Sequence, residues 1–442
     1  LTGPAGDPNA TLKSSSQTLI LDTTTALPVP HMAEIDPRPK SVDDRSLVLR
    51  PLVPLAHGRR YIVLVQGLQR PEGAPIKAPA EFAALRDQTP PVDAAADHLA
   101  RYFEGRIFPI IAAATVERAG LLLAWDFTTI SAADARGDLL AMREDLLASF
   151  AKAAPAVTIE TVTDFPAPSV ARAIEGTVQV PLYLDHDKPG AFMTRDATGR
   201  PEARSTVEVP FAAVISAAAL ALEVTGTAPL VQIGHGFFGG RGELGSGPVI
   251  DQLQQLAAIG FATDWWGLSL PDAGPIVSDL VTQTDLTPRF VDRLHQAMVN
   301  ALVVGEAMAT STRQQPAFQQ GGKAIAGAQP LGYYGSSLGH ILGGTCVAVS
   351  PRIERAVFGV GGAGFGMIMP RSVAFAQLLA LVDVRAANRL ETLKALLLLQ
   401  LGLERIDPIT WAAVLRRDTL PGGPAAREVL LEAIVEENDE LA

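Results

Sequence analysis

Apolar residues recur along this chain with two periods, and the change between them divides it. Between Thr18 and Gly67 they form short runs, TLILDTTT, VPHMAEID, SLVLRP and RYIVLVQGL, separated by Pro, Asp and Gly turn signals. That pattern predicts a small β-sandwich. Three- and four-residue spacing predicts helices over Val92 to Arg118 and Ala132 to Lys152, framing a strand LLLAWDFTT. β-like text returns with VTIETV and GTVQVPLYL, and the polar stretch Asp185 to Ser205 is expected as an exposed loop or hairpin. From Pro229 strands and helices alternate: PLVQI, a helix near Val249 to Ala258, GFATDW, a long helix near Pro288 to Thr310, PLGYYG, a further helix, then ERAVFGV. Such alternation predicts a parallel sheet with helices on both faces. The expected division is a β-rich unit with inserted helices over 1–130 and an α/β unit over 131–442.

Composition narrows the function classes. A chain of 442 residues exceeds what one hydrophobic core covers, and 48% hydrophobic against 19% charged residues excludes bulk disorder. Net charge is -11, with no dense Lys/Arg stripe, so nucleic acid is not an expected partner. The apolar stretches Phe211 to Leu222 and Leu393 to Leu403 fall short of the roughly 20 residues a membrane span needs. The chain opens on a polar Gly/Pro/Ser-rich segment without a basic, apolar, small-residue leader, so an export signal is read as already removed or never present. Cys346 stands alone, which excludes an internal disulfide and a cysteine-based zinc site. Without H-E-x-x-H or clustered His/Asp spacing, neither a metal nor another cofactor is expected.

The strongest local signal is Gly335-Ser336-Ser337-Leu338-Gly339, a G-x-S-x-G after a strand-like run and before a helical one. Glycines flank such a bend because a Cβ there strikes the neighbouring strand or helix. Ser337 is the candidate nucleophile. Acyl transfer also needs two backbone N–H donors for the developing alkoxide, and the buried-type strand running into PLVQIGHGFFGG supplies the loop for one of them. The candidate donors are Phe237 and Leu338. His235 and Gly236 shape this loop and line the pocket, as do Trp265 and Trp266, for which core packing is the competing reading. His340 lies three residues after Ser337 on the same helix, so it can line the site but is poorly placed as a base. His295 reads as a helix-face residue. The Leu/Ala-rich stretch Met367 to Leu403 is expected as a helical cap over an apolar entrance, with an ordinary buried helix pair as the competing reading.

The phrase LVPLAHGRRYIVLVQGLQRPEGAPI is similar to bacterial Ig-like domains, which serve as spacers or binding platforms. The phrases LLLAWDFTT, GTVQVPLYL, IGHGFFGG, ATDWWGLSLPD, GYYGSSLGH and ERIDPITWAAVLRRDTLPGG, followed by EVLLEAIV, resemble bacterial exported α/β-hydrolases of the esterase and lipase-like kind that carry an N-terminal Ig-like segment. The resemblance implies ester hydrolysis through an acyl-enzyme, a small-molecule or lipid-like ester as substrate, and a secreted, periplasmic or cell-surface location. It also implies an acid just after the strand matching EVLLEAIV and a histidine farther on. Asp439 is the candidate acid, with Glu437 as alternative and a solvated tail as the competing reading. No histidine follows them. The base is therefore expected from beyond Ala442 or from an unusual position.

Two other readings compete. GHGFFG at Gly234 to Gly239 satisfies G-x-G-x-x-G after a strand, with Asp264 ending the next strand as a ribose-binding acid would in a nucleotide-dependent oxidoreductase. The same pattern recurs at Gly359 to Gly364, however, and gives no reason for the serine bend. The other is a catalytically degenerate hydrolase fold that serves binding, a reading the missing base keeps open.

Overall fold

A computed structural model describes residues 7–432 except 37, 38, 40, 42–44, 71, 167, 283–286, 371 and 387. Its contacts form two compact units: one runs to Ala135 and includes Asn388–Leu390, the other takes Arg136–Ala387 and the chain from Glu391.

In the first unit, β1 (Thr18–Asp22), β4 (Arg60–Gln66) and β5 (Leu121–Thr128) form an antiparallel sheet, while β2 (His31–Ile35) and β3 (Leu47–Pro51) form a hairpin. Alternation decides what each face of the sheet covers. Leu19, Leu21, Ile62 and Leu64 pack on Phe82, Phe103, Ile107, Phe108 and Ile111 from the helical stretch between Ala80 and Ala113. Ile20, Tyr61 and Val63 face the other way, toward Val29, Leu49 and Leu55. Among the described residues, the only second sheet on which an Ig-like sandwich could draw is the β2–β3 hairpin.

The second unit is built on one sheet of eight strands: β6 (Val157–Asp164), β7 (Val170–Leu182), β8 (Ser205–Ser216), β9 (Leu230–Gly234), β10 (Ile259–Thr263), β13 (Leu331–Ser336), β14 (Ile353–Gly359) and β15 (Glu428–Glu432). A separate two-residue pair, β11 (Gln319–Gln320) and β12 (Lys323–Ala324), lies outside it. The spatial order is β15-β14-β13-β9-β10-β8-β7-β6. The five strands from β10 to β15 in that order are parallel, and β8, β7 and β6 join antiparallel. The result is a mostly parallel sheet with flanking helices, as the alternation of strands and helices predicts.

Helices cover both faces. Leu139, Met142 and Leu146, the helix Thr287–Ala309, the helix Leu338–Val349 and Trp411 pack on one. Leu244, Val249 and Leu253 pack on the other. The helix Leu338–Val349 is apolar on every side and, apart from His340, fully buried, as expected of a central helix.

Several elements go beyond the sequence reading, among them the helices Ala80–Arg86 and Pro408–Arg416 and, with an identifiable cause, two others. β8 was read only as an apolar stretch around Phe211 to Leu222, because it lies between β7 and β10 and its second half, FAAVIS, shows no polar alternation. The helix Leu270–Thr282 contains Pro275, which reads as a break.

The connection order places the site. From β9 the chain crosses to β10 on one side, then returns to β13 on the other. Connections on the two sides of β9 diverge at that boundary and leave a crevice outside the carboxyl ends of the strands. The loop after β9 and the turn after β13 both open there.

Candidate active site

β13 ends at Ser336, the helix begins at Leu338, and Ser337 makes the whole turn with φ 54° and ψ -117°. A non-glycine residue in that region carries strain of roughly 1–3 kcal/mol and stays there only when its surroundings hold it. Here the Ser337 N–H donates to Gly359 O at 2.9 Å, and Ser337 O accepts from the N–H groups of His340 (3.0 Å) and Ile341 (3.2 Å). The bend is tight enough that a Cβ on Gly335 would lie 2.2 Å from Gly339 O, and one on Gly339 would lie 2.2 Å from Gly234 O. The Tyr333 hydroxyl donates to Gly339 O and ties the strand to the first turn of the helix. Ser337 is half-buried, and its hydroxyl forms no hydrogen bond with the described residues.

Register brings the loop after β9 alongside, since Gly335 pairs with Gly234. Within that loop the Gly236 N–H donates to Glu243 Oε2 (2.9 Å), the Phe238 N–H to Leu268 O (3.1 Å) and the Gly239 N–H to Gly236 O (3.1 Å). Phe238 sits at φ 52°. Among the described residues, the N–H groups of Phe237 and Leu338 donate to no protein acceptor.

The loop is braced from the next strand. Arg241 reaches Asp264 through its backbone N–H (2.7 Å) and its guanidinium (2.6 Å). Behind it Asp272 accepts from the Gly267 N–H (2.8 Å), the Ser269 hydroxyl (2.7 Å) and Arg293 Nε (2.8 Å). Arg293 also lies over the ring of Trp266 at 4.8 Å.

The four histidines of this unit each use a ring nitrogen elsewhere. The Trp265 N–H donates to His235 Nε2 (2.7 Å), so the proton sits on Nδ1 and is donated to Gly236 O (2.8 Å). His235 is only 1% exposed, which puts it behind the loop and not on its open side. Trp265 is likewise in the core at 2% exposed, whereas Trp266 is half-buried. His340 Nδ1 accepts from the Gly361 N–H (2.9 Å), and its ring stacks on Phe358. His295 is buried, with Nδ1 bonded to Val291 O at 2.9 Å. His186, exposed in the loop after β7, accepts from the Lys188 N–H. Asp439 and Glu437 lie outside the described residues; β15 itself ends beside Gly359, on the edge where Ser337 sits.

Burial lowers the pKa of His235, opposed mainly by its bond to the Gly236 carbonyl, and lowers those of His295 and His340 in the same way. The fold thus keeps these rings neutral where the unfolded chain, near pH 6.5 and below, takes up protons. Their contribution is fully present above about pH 6.5 and is lost as pH falls toward the lowered folded values. Denaturant unfolding at about pH 7.5, 6 and 5 is expected to show stability declining across that window, less steeply in His235→Gln. An identical slope in the variant would remove His235 from the account.

The dinucleotide reading meets an obstacle in the same loop. The Glu243 carboxylate is packed so closely that a Cβ on Gly239 would lie 1.8 Å from Oε1, so a pyrophosphate there would face an anion in its place. Asp264, the ribose-binding candidate, is taken by Arg241. No group of three or more His, Cys, Asp or Glu suited to a metal occurs among the described residues, and no described helix is long and apolar enough to cross a membrane. Burial pushes the Cys346 thiol up to about 12.

A groove of about 730 Å³ lies away from this edge, on the sheet face between Val249, Leu253 and Leu430, lined also by Val231, Tyr334 and Val357. Backbone geometry at the strand ends, not cavity size, therefore marks the candidate site. Sequence reading did not single out Glu243, Phe238 or Phe375. Each acts through a partner distant in sequence or through a backbone angle, and no local pattern announces either.

The fold and this edge define an α/β protein with a serine at a strand-to-helix turn. Its sequence matches no protein-family profile and no curated protein. Among solved structures it is similar to an acetyl xylan esterase from Paenibacillus sp. R4, at 12% identity over 69% of this chain and 92% of that one, with a TM-score of 0.38. It is also similar to acetyl xylan esterase 1 from a Thermoanaerobacterium species, at 13% identity, 68% and 88% coverage and a TM-score of 0.36. A third is an S-formylglutathione hydrolase from Agrobacterium tumefaciens, at 12% identity, 62% and 78% coverage and a TM-score of 0.29.

Proposed function

We propose that this chain is an exported serine esterase that cleaves small or lipid-like carboxylic esters through an acyl-enzyme, with its N-terminal unit acting as an Ig-like spacer or binding platform. The observation that carries the reading is Ser337, alone in its turn at φ 54° and ψ -117°, with a hydroxyl and a neighbouring Leu338 N–H that bond none of the described residues. Ser337 Oγ attacks the ester carbonyl carbon and passes its proton to a base. The Phe237 and Leu338 amides donate to the resulting oxyanion. Collapse expels the alcohol, which takes that proton, and water then releases the acid and restores the serine. Asp439, or Glu437 in its place, orients the base. A second reading, a hydrolase fold retained for binding, is favoured by His186, His235, His295 and His340 each using a ring nitrogen elsewhere.

Treatment of the full-length protein with a fluorophosphonate probe, followed by peptide mass spectrometry, separates the two. An adduct on Ser337, together with turnover of p-nitrophenyl butyrate, is the expected result. Neither adduct nor turnover would support the binding reading.

A further inference from the structure

We infer that Phe375 is a positioning residue for this site: its ring clamps the Phe237 side chain and so helps hold in place the amide assigned to the oxyanion. The purpose of that amide rests on the esterase reading, whereas the clamp rests on geometry alone. In the loop after β9, Gly236, Gly239 and Gly240 leave the backbone few conformational limits of its own. External partners fix the N–H groups of Gly236 and Phe238 on either side. Between them the Phe237 N–H donates to no described residue; Gly236 O, in the same peptide, accepts from His235 Nδ1 (2.8 Å) and the Gly239 N–H (3.1 Å), and the Phe237 side chain is the further handle on where that peptide sits.

That side chain is held on both sides. The Phe237 ring lies 4.1 Å from Phe238 and meets Phe375 edge-on at 4.6 Å and 64°. Phe375 in turn meets Phe365 edge-on at 5.4 Å and 73°. Such tilted contacts match the edge of one ring to the face of the next and constrain orientation as well as distance. The column is anchored at both ends. Phe238 is tied by its N–H to Leu268 O at 3.1 Å. At the far end, the N–H groups of Gly364 and Phe365 donate to the buried Asp407 carboxylate at 2.9 and 2.7 Å, and Gln400 Nε2 donates to it at 3.1 Å. Phe375, 5% exposed, sits in the middle of this chain of contacts. Truncating it removes a ring's volume beside Phe237, and a glycine-rich loop is the element best able to relax into that space.

The test compares wild type, Phe375→Ala and Phe375→Leu by two readouts. Amide hydrogen exchange followed by mass spectrometry reports the bonded amides of 236–239 against those of β9. In Phe375→Ala, exchange in the loop is expected to rise at least about tenfold while β9 keeps its protection. The rate of Ser337 labelling by a fluorophosphonate is expected to fall by about tenfold to a hundredfold, less than the 10²–10³ that loss of a whole donor costs. Phe375→Leu, which refills most of the space, is expected to stay within about threefold of wild type in both. Unchanged loop exchange in Phe375→Ala would overturn the inference, and so would loop and β9 loosening together, which marks general destabilisation. A wild type that never labels would instead count against the esterase reading, while the exchange comparison would still decide the role of Phe375.

Discussion

Ser337→Gly is expected to abolish ester hydrolysis and at the same time make the protein more stable. The loss follows from removing the hydroxyl proposed as nucleophile, and for an enzyme whose nucleophile acts with a base it amounts to about 10⁵–10⁶ in turnover. The gain follows from the backbone. At φ 54° and ψ -117° a Cβ is strained, and glycine relieves roughly 1–3 kcal/mol of that strain while costing about 0.5–1 kcal/mol in unfolded-state entropy. A net gain of about 1 kcal/mol should be visible in denaturant unfolding. Ser337→Ala is the control: it keeps the Cβ, loses the same activity and gains little. If the glycine variant unfolds no later than the alanine one, the strain is not there. If it keeps its turnover, the nucleophile is a different group.

The second large effect is structural. Asp272 and Arg293 form an ion pair with side-chain exposures of 2% and 6%, and it closes the loop that carries Trp265, Trp266 and Leu268. Burial pushes the Arg293 pKa down, and Asp272 opposes that shift. Removing one partner leaves an uncompensated buried charge, so Asp272→Ala is expected to cost about 3–5 kcal/mol. Arg293→Met should cost a similar amount, because Asp272 would keep only its bonds to Gly267 and Ser269. The double variant Asp272→Leu/Arg293→Met should be milder than the sum, since no charge is left unpaired. A double-mutant cycle in urea measures this coupling; additive losses would mean that the pair does not act as a unit. Because the Phe238 N–H bonds Leu268 O, the single variants should also loosen the loop after β9.

Much of the α/β unit was legible in the sequence. Runs such as PLVQI and PLGYY stand between turn signals, and β9 and β13 form there. The glycines of G-x-S-x-G mark backbone contacts, and the 2.2 Å separations at Gly335 and Gly339 are what demand them. His235 looked like a pocket residue because it adjoins those glycines. Its real setting depends on Trp265, thirty residues on, whose N–H occupies Nε2. Nothing in FFGGRGE indicates that Glu243 folds back onto Gly236, or that Phe375 reaches Phe237. In the first unit the strands were readable, but which face the helices between Ala80 and Ala113 cover depends on long-range packing.

Read alone, then, the chain settled the periods, the turns and the serine between two glycines, because those depend on sterics within a few residues. Strand order, the crevice beside β9, the occupied histidine nitrogens and the ring column behind Phe237 arise only when distant segments meet. Burial, partner geometry and a shifted pKa belong to that assembled environment, and no residue carries them by itself.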